Sequence, residues 1–432
     1  MDPLIDFLIQ TRLSNLGQNG VSIEDDEPFF VADLGQVIRQ HRRWKRNLPD
    51  VHPFYAVKCN SDPNLLRLLA ELGTGFDCAS IEELRSVLAL GVDPARIIFA
   101  NPCKTASSLV FAQRAGVPWT TFDNLDELDT IKRYHPNAQL ALRIFASDSD
   151  ALIDLSKKYG APIDSTWRLL QRAQELGLEV SGVSFHVGTG ASNLASYIKA
   201  IQQAKIVVEQ GKALGFVINV LDIGGGFQDS NFEKFAPKLQ AALRREFPTG
   251  MRFMAEPGRY YARSAYTLVC KVISRRLQTG AQPEPDMLYQ NDGVYGSFMN
   301  VLIEKEVLHP SLVPSGFHSL EGGGKRHKGK RRYSIWGPTC DSTDRVVEEM
   351  DMESEVKVGD WLKYTHMGAY TTATATQFNG FPSHRHVIYL DSELIGHGKS
   401  RKSQRHIRPH MSFHRNQNYP LGLSSHLPCN LP

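Results

Sequence analysis

The sequence predicts an α/β protein: a closed (β/α)8 barrel of the TIM type, followed by a C-terminal, mostly antiparallel β domain that forms a sandwich or a small barrel. Three observations lead to this fold class. Eight short apolar runs alternate with helical segments between residues 54 and 255, a polar residue or a glycine follows each run, and after residue 265 turns rather than helices separate the runs. Eight strands with helices between them are typical of a parallel barrel.

The predicted strands are short runs that end at turn-forming residues. They cover residues 54–59, 75–79, 97–100, 119–122, 140–145, 180–187, 217–223 and 251–255. The segments between them carry apolar residues at helical spacing and cover 65–72, 81–90, 106–115, 125–134, 165–176, 195–214 and 232–247. A doubly wound open sheet is the alternative architecture for this alternation.

The residues at the strand ends favour the barrel over the open sheet. The carboxyl ends of barrel strands converge on one mouth, so residues far apart in sequence meet there. The residues at or just after the eight strand ends are Lys58, Asp77, Asn101, Asp123, Arg143, His186, Gly224 and Glu256.

The C-terminal third has a different pattern, with predicted strands at 264–274, 286–292, 332–336, 361–364 and 386–389. A strand at 29–32, before a basic amphipathic helix at 34–46, is expected to join this second domain. We therefore divide the chain into an N-terminal strand region (1–37), a barrel (38–265), a β domain (266–394) and a basic tail (395–432). The charged, glycine-rich segment 315–332 is expected to be a mobile loop, and the tail is expected to be disordered.

Composition excludes several classes of protein. Apolar residues make up 41% of the chain and charged residues 22%, as in an ordinary globular protein. Residues 395–432 hold six basic side chains and no acid, so the remainder carries a formal charge of −3 and gives no reason to expect nucleic acid binding. We expect no membrane span and no secretory signal. The six cysteines are scattered, which predicts neither a disulfide framework nor a metal site and suits the cytoplasm.

Lys58 ends the first apolar run and is the candidate nucleophile. Partial burial at a strand end is expected to lower the pKa of its amine towards neutrality, which favours attack on a carbonyl carbon. A lysine at a strand end that only extends its charge to solvent is the alternative.

Three further features surround this lysine in the predicted barrel. The run Gly224-Gly225-Gly226 can bring backbone N–H groups against an anion, although a plain glycine turn is the alternative. Glu256 and Arg259 follow the eighth strand, and His186 follows the sixth, where a buried structural histidine is the alternative. Together these groups suit pyridoxal 5′-phosphate, with the aldehyde on Lys58, the phosphate on the glycines and Arg259, and the ring nitrogen on Glu256.

Eight segments resemble the eukaryotic, fungal-like ornithine decarboxylases in order and spacing: 55–60, 75–80, 183–190, 221–227, 255–261, 291–298, 336–341 and 366–381. The resemblance extends from about residue 29 to residue 394. It implies a pyridoxal-phosphate enzyme with an alanine-racemase-like barrel, and a homodimer whose active sites are shared between subunits. The implied cofactor-binding residues are Lys58, Asp77, Glu83, Arg143, His186, Thr189, Gly225, Gly226, Glu256, Gly258, Arg259 and Tyr370.

The resemblance also implies roles for individual side chains. Lys58 would be the Schiff-base lysine, with Asp77 near it and His186 stacked on the cofactor ring. From the partner subunit, Cys340 would help to return a proton to the substrate carbon, and Asp341 would hold the distal amine of the substrate. The alternative interpretation of Cys340 is a buried, unreactive thiol, which is the commoner case for a cysteine.

One departure from the family pattern concerns the substrate pocket. Ile303-Glu304 stands where the family usually has a Tyr-Asp pair whose acid binds the distal amine. The longer acid moves the carboxylate and the tyrosine hydroxyl is lost, so the substrate preference can change. Thr189 stands where serine is common, and it keeps the hydroxyl group.

The sequence therefore predicts a decarboxylase of a basic amino acid, by default L-ornithine, which would give putrescine for polyamine biosynthesis. The alternative is a diverged enzyme that acts on lysine, arginine or an intermediate of an alkaloid pathway. A second alternative is a non-catalytic regulator similar to the antizyme inhibitors, although the presence of Lys58, Asp77 and Glu256 argues against it. An antizyme-like partner is conceivable, but the sequence does not indicate one.

Overall fold

The structure is a computed structural model and describes residues 3–16, 23–146, 158–188, 194–278, 284–313 and 328–396. Eight parallel strands close into the predicted barrel, in which each strand pairs with the next and the last pairs with the first. The barrel strands are β2 (Val51–Ala56), β3 (Gly75–Cys78), β4 (Ile97–Phe99), β5 (Trp119–Phe122), β6 (Gln139–Ile144), β7 (Glu179–Phe185), β8 (Val220–Asp222) and β9 (Arg252–Ala255).

Helices pack around the barrel strands and complete the predicted (β/α)8 arrangement. They are α2 (Leu34–Asn47), α3 (Pro63–Glu71), α4 (Ile81–Leu88), α5 (Ala106–Arg114), α6 (Leu125–Tyr134), α7 (Thr166–Glu175), α8 (Leu194–Ala213), α9 (Phe232–Glu246) and α10 (Arg259–Ala262). Caps fix where several of them begin: Ser80 accepts the N–H of Glu83 and Asn124 accepts that of Glu127. These caps hold the turns that follow the strand ends, where the predicted site residues lie.

Strand register determines which side chains fill the barrel. Phe54, Ile98, Trp119, Val220 and Met254 form a separate apolar cluster at its centre. Glycines leave room for the larger rings: a Cβ on Gly75 would lie 2.5 Å from the ring of Phe54, and one on Gly182 would lie 3.3 Å from that of Trp119. The large side chains therefore fill the interior, and the polar residues towards the strand ends face the mouth.

The remaining strands build a second sheet in the order β12-β15-β10-β11-β13-β14, and β1 joins it through β10 and β16. Most pairs are antiparallel, as predicted, but β1–β16 and β11–β13 are parallel. The strands are β1 (Phe29–Asp33), β10 (Tyr266–Arg276), β11 (Asp286–Gln290), β12 (Ser311–Leu312), β13 (Lys328–Trp336), β14 (Arg345–Ser354), β15 (Trp361–Tyr364) and β16 (His386–Leu390). The other helices are α1 (Pro3–Asn15), α11 (Met299–Ile303) and α12 (Ser392–Gly396).

Several local predictions need correction. The first barrel strand ends at Ala56, and Lys58 lies in a one-turn 3₁₀ helix, Val57–Cys59, so the lysine follows the strand rather than ending it. Residues 328–332 of the predicted mobile loop belong to β13, while 314–327 lie outside the described residues. Residues 395 and 396 of the predicted tail end α12, and 397–432 are outside the described part. α1 and β14 were not predicted.

Within the described ranges, no helix combines the length and the apolar character needed to cross a bilayer.

Candidate active site

One cavity lies at the mouth of the barrel, where strands β2, β7, β8 and β9 end and the β domain contributes a tyrosine. It is lined by Ala56, Lys58, His186, Gly225, Gly226, Phe227, Glu256, Gly258, Arg259 and Tyr370. The sequence analysis named eight of these ten residues. It missed Ala56 and Phe227, which bring no reactive group and so give no chemical signal in the sequence.

Lys58 faces Asp77 across the ends of β2 and β3. The amine of Lys58 forms an ion pair with Asp77, which is buried, while 42% of the lysine side chain faces the open cavity. Burial lowers the pKa of Lys58, but nearby negative charge, above all that of the Asp77 carboxylate, outweighs burial and raises it above the usual lysine value. The expectation of a lowered pKa is therefore wrong for the cofactor-free protein, because a carboxylate in contact holds the amine in its charged form.

Glu256 lies across the cavity with a second carboxyl group behind it. Burial, followed by the charges of Asp222 and Asp77, raises the pKa of Glu256 well above its usual value. The pKa of Asp222 is raised too, mainly by burial. The sequence analysis did not single out Asp222, although it precedes the glycine run by only two positions.

The imidazole of His186 is neutral. Burial and the positive charges of Arg143 and Lys58 lower its pKa well below the usual histidine value. The N–H of Gly188 donates to Nδ1 at 3.1 Å, so Nδ1 accepts and the ring proton is on Nε2. The result is a flat, uncharged ring at the wall of the cavity.

The glycine run turns sharply beside this ring. Gly224 has φ +66°, and a Cβ there would lie 2.2 Å from the carbonyl oxygen of Phe185. A Cβ on Gly225 would lie 2.7 Å from Nε2 of His186. The hydroxyl of Tyr197 donates to the Gly225 carbonyl at 2.5 Å and holds the turn from α8. Only glycine fits at these two positions, and the turn leaves a concave surface of backbone.

Arg259 lies beside the glycine turn at the start of α10. Its guanidinium forms an ion pair with Glu304, which is buried, and lies 5.0 Å from the ring centroid of Tyr370. Burial acts to lower the pKa of Arg259, but the charge of the Glu304 carboxylate outweighs burial. The pKa therefore lies above the usual arginine value. Tyr370 has φ +54°, a backbone conformation that is rare outside glycine and is found most often at functional sites.

The predicted substrate residues Ile303 and Glu304 lie at the end of α11. Glu304 contacts Arg259, at the side of the cavity predicted for the phosphate, whereas Ile303 is 49% exposed. In the cofactor-free chain, the acid that the sequence analysis assigned to the distal amine is therefore bound to an arginine.

Two other predicted cofactor residues stand behind the cavity wall, and one cannot be placed. Glu83 accepts the N–H of Ala79 at 2.6 Å and so fixes the turn after β3. Arg143 lies at the end of β6, over the ring of Tyr159 at 5.4 Å. Thr189 lies outside the described residues.

Cys340 and Asp341 are not at this cavity. They lie in the connection between β13 and β14, where Cys340 is exposed and the Tyr295 hydroxyl donates to Asp341. A second, largely apolar cavity adjoins them and includes Pro338 and Phe378. Within one chain, these two predicted residues therefore do not meet Lys58.

The cavity at the barrel mouth fits pyridoxal phosphate. The glycine turn offers a surface that a Cβ would fill, and Nε of Arg259 is buried without a hydrogen-bond partner. An amine, an anion site and a buried carboxyl are then arranged around a flat ring position. Among the described residues, no group of three or more histidine, cysteine and acidic side chains is placed to bind a metal ion.

The chain is similar to known proteins over most of its length. The profile of the family described as "Pyridoxal-dependent decarboxylase, pyridoxal binding domain" matches residues 34–263. An ornithine decarboxylase of Neurospora crassa is 46% identical over 90% of this chain and 86% of its own. An antizyme inhibitor 2 of Xenopus laevis is 43% identical over 87% of this chain and 84% of its own.

A solved structure has the same fold. The arginine decarboxylase of Paramecium bursaria Chlorella virus superposes with a TM-score of 0.81 at 34% identity, covering 89% of this chain and 100% of that one. The match of the family profile to more than half of the chain and the extent of these similarities agree with the barrel and its cavity. This chain therefore belongs to the pyridoxal-dependent decarboxylase family.

Proposed function

We propose that this chain decarboxylates a basic amino acid with pyridoxal 5′-phosphate, and that its substrate is L-ornithine and its product putrescine. The observation that carries the proposal is the single cavity in which the amine of Lys58, the glycine turn with Arg259 and the carboxyl of Glu256 meet. The similarity to an ornithine decarboxylase over 90% of the chain supports the choice of substrate.

Each side chain of the cavity has a distinct task in this reaction. Lys58 would hold the aldehyde carbon of the cofactor, Gly225 and Gly226 with Arg259 would hold its phosphate, and Glu256 would hold its ring nitrogen. Bound pyridoxal phosphate supplies the electron sink for the pair left behind when the α-carboxylate departs. His186 is neutral and flat, so it can cover the ring without adding charge that would compete with Glu256.

Asp77 positions Lys58 at the cavity. The Asp77 carboxylate binds the lysine amine in its charged form. This contact would keep the amine within reach of the reacting carbon while substrate is bound.

The second part of the proposal is a homodimer with shared sites. Cys340 and Asp341 lie away from Lys58 of the same chain and next to a second cavity, which supports a role for them at the Lys58 site of another copy. The partner subunit's Cys340 would return a proton to the substrate carbon, and the partner subunit's Asp341 would hold the distal amine.

The free thiols of the described part of the chain suit a cytoplasmic enzyme, and no described feature identifies an antizyme-like partner.

A second candidate substrate follows from Glu304. The ion pair with Arg259 holds one carboxylate oxygen, whereas Oε2 is buried and has no hydrogen-bond partner. A buried acceptor of this kind favours a substrate cation that reaches it, so arginine or lysine is the alternative to ornithine. Glu304→Asp should raise turnover of ornithine if the longer acid is what disfavours it, and unchanged selectivity would remove Glu304 from the substrate pocket.

Two measurements test the function. Purified protein mixed with pyridoxal phosphate should develop the visible absorbance of the bound cofactor, Lys58→Ala should abolish it, and Lys212→Ala on the exposed face of α8 should leave it unchanged. Carbon dioxide release should then be greatest with ornithine in a panel that also contains lysine, arginine and diaminobutyrate. Absence of the band would refute the proposal and favour a regulator similar to the antizyme inhibitors. A band without release from any of the four would point to an unusual substrate or to an inactive protein.

A further inference from the structure

Below the cavity, the barrel contains inward-facing polar side chains that the proposed reaction does not use. Thr121 lies two positions after Trp119, an interior residue, so it points the same way. Asp222 pairs in register with Ser184 on one side and with the interior residue Met254 on the other. Three buried oxygen atoms here have no hydrogen-bond partner in the structure: Oγ1 of Thr121, Oγ of Ser184 and Oδ2 of Asp222. Buried polar atoms of this kind call for an explanation, and Asp222 is the charged one.

Asp222 lies directly behind Glu256. The N–H of Glu256 donates to the carbonyl of Gly224 at 2.7 Å, and the N–H of Gly224 donates to Oδ1 of Asp222 at 2.9 Å. Asp222 pairs in register with Met254, whose side chain lies in the barrel interior, and Glu256 follows Met254 by two positions, so both carboxyl groups lie on the inner face of neighbouring strands. Two buried carboxyl groups on adjacent strands repel each other when both are ionised, so the pair is stable only when one of them carries a proton.

We propose that Glu256 and Asp222 share one proton in the cofactor-free protein, and that Asp222 positions this proton for the ring nitrogen of the cofactor. The inference rests on the proposed function, because the ring nitrogen is its acceptor. Glu256 carries the proton and donates it to Oδ2 of Asp222. When the ring nitrogen arrives unprotonated, the proton passes to it from Glu256, Glu256 becomes a carboxylate, and the total charge of the site stays constant. When the ring arrives already protonated, Glu256 releases its proton to water and becomes the same carboxylate.

The charges around the pair support one shared proton. The groups that face it are Lys58 and Asp77, which neutralise each other, the positive Arg143 and the neutral His186. Two ionised carboxylates against Arg143 alone would leave a net negative charge inside the barrel, whereas one carboxylate balances it. Like charges in contact in a buried site are disfavoured, so one acid stays neutral.

The proton lies on Glu256 rather than on Asp222 because their surroundings differ. Asp222 accepts the Gly224 N–H, which stabilises its ionised form, and the charge of Arg143 acts in the same direction. Glu256 receives the repulsion of both Asp222 and Asp77. Asp222 is therefore a positioning residue that acts through Glu256.

Difference infrared spectroscopy of the full chain tests this inference. The probe is pyridoxamine 5′-phosphate, which has the ring nitrogen and phosphate but no aldehyde carbonyl to obscure the spectrum. At neutral pH, the carbonyl stretch of one protonated carboxylic acid should be present in the free protein and lost on binding. In Asp222→Asn the amide keeps the shape and the acceptor for Gly224 but removes the charge, so Glu256 should already be ionised and this loss should be absent.

Thr121→Val is the matched control, since it removes a buried oxygen of the same interior without changing charge, and it should keep the spectral loss. If the wild-type protein binds the probe without losing an acid carbonyl, the inference is overturned, and this outcome needs no variant to fold. An unchanged loss in Asp222→Asn overturns it as well. A failure of the proposed function is separate, because wild-type protein would then not develop the visible band with pyridoxal phosphate.

Discussion

Lys58 is held charged by Asp77 although it must be neutral to attack a carbonyl. Burial and the carboxylate act on its pKa in opposite directions, and the carboxylate prevails. The buried acid thereby keeps the amine in place, and under the proposed function the attachment of the cofactor would require the amine to lose a proton. The pH dependence of cofactor binding should reflect this opposition.

We predict that Asp77→Asn shifts cofactor attachment to lower pH. The pKa of Lys58 is raised in the folded protein, so the neutral amine forms only at high pH. Without the Asp77 carboxylate this pKa falls. The same fraction of neutral amine should then form at a pH lower by about one unit or more. The rate at which the visible band forms, measured across a pH series, checks this shift. A pH profile identical to that of the wild type would show that Asp77 does not control the charge of the amine.

Glu304 affects the cofactor through Arg259. Its carboxylate forms an ion pair with the Arg259 guanidinium that we propose as the phosphate ligand, and it places a negative charge beside that guanidinium. We predict that Glu304→Gln tightens pyridoxal phosphate binding about tenfold, corresponding to about 1.4 kcal/mol, because the repulsion is removed while the amide oxygen can still accept from Arg259. Titration followed by absorbance measures the dissociation constant.

The matched control for this change is Glu306→Gln. Glu306 bonds Arg263 at 2.7 Å and comes only to 4.0 Å from Arg259, so removing its charge should change the cofactor affinity less. Equal effects of the two substitutions would show that general charge, and not the contact with Arg259, sets the affinity.

The residues with distinctive chemistry were predictable from the sequence, and their pairings were not. Lys58, Glu256 and Arg259 each follow a strand end, a position that the sequence shows directly. The contact of Glu304 with Arg259 and that of Asp222 with Glu256 depend on strand register and on the path of α11, which join segments far apart in sequence. No local pattern contains that information.

At the level of elements, the barrel strands were predictable because both of their faces are covered. All three residues of β4, Ile97–Phe99, are buried and apolar, which gives a short continuous apolar run bounded by turns. β14 was missed because half of its ten residues are exposed and it carries five charged side chains, so its sequence resembles a surface segment. Its pairing with β13, and not its composition, makes it a strand.

The connection between β13 and β14 depends on one buried carboxylate. Asp344 accepts the N–H groups of Val294 and Thr339 at 2.7 and 3.0 Å, and the hydroxyl of Thr339 at 2.6 Å. The loop that presents Cys340 and Asp341 is thereby tied to the segment after β11. Its geometry is set by a residue that takes no part in the chemistry.

We predict that Asp344→Ala lowers the free energy of unfolding by on the order of 2 kcal/mol, because three buried donors lose their acceptor. Asp341→Ala is the control in the same loop; its carboxylate is only partly buried, so its removal should lower the free energy of unfolding clearly less. Chemical denaturation of both variants gives the two values. A loss that is the same for both would place the support of the loop elsewhere.

The molecule as a whole separates its reactive groups into two places. Lys58 and Glu256 stand at the barrel mouth, whereas Cys340 and Asp341 lie in the β domain beside an apolar cavity that includes Tyr295 and Phe378. In the proposed dimer, each chain therefore contributes Lys58 and Glu256 to one active site and Cys340 and Asp341 to the other. The need for a second copy could not be derived from strand patterns, because symmetry between chains leaves no periodic signal in one sequence.

A mixing experiment follows from this division. Lys58→Ala and Cys340→Ala should each be almost inactive alone, since every site of either homodimer lacks one group. If the subunits exchange at random, half of the dimers in an equal mixture are hybrids, and each hybrid has one site with both groups intact and one with neither. Activity should therefore recover to about a quarter of the wild-type value.

A mixture of Lys58→Ala with Glu256→Gln is the control, because both changes lie in the same half of the site and no hybrid restores it. If the first mixture remains as inactive as the control after subunit exchange has been verified, Cys340 does not serve the site of a partner.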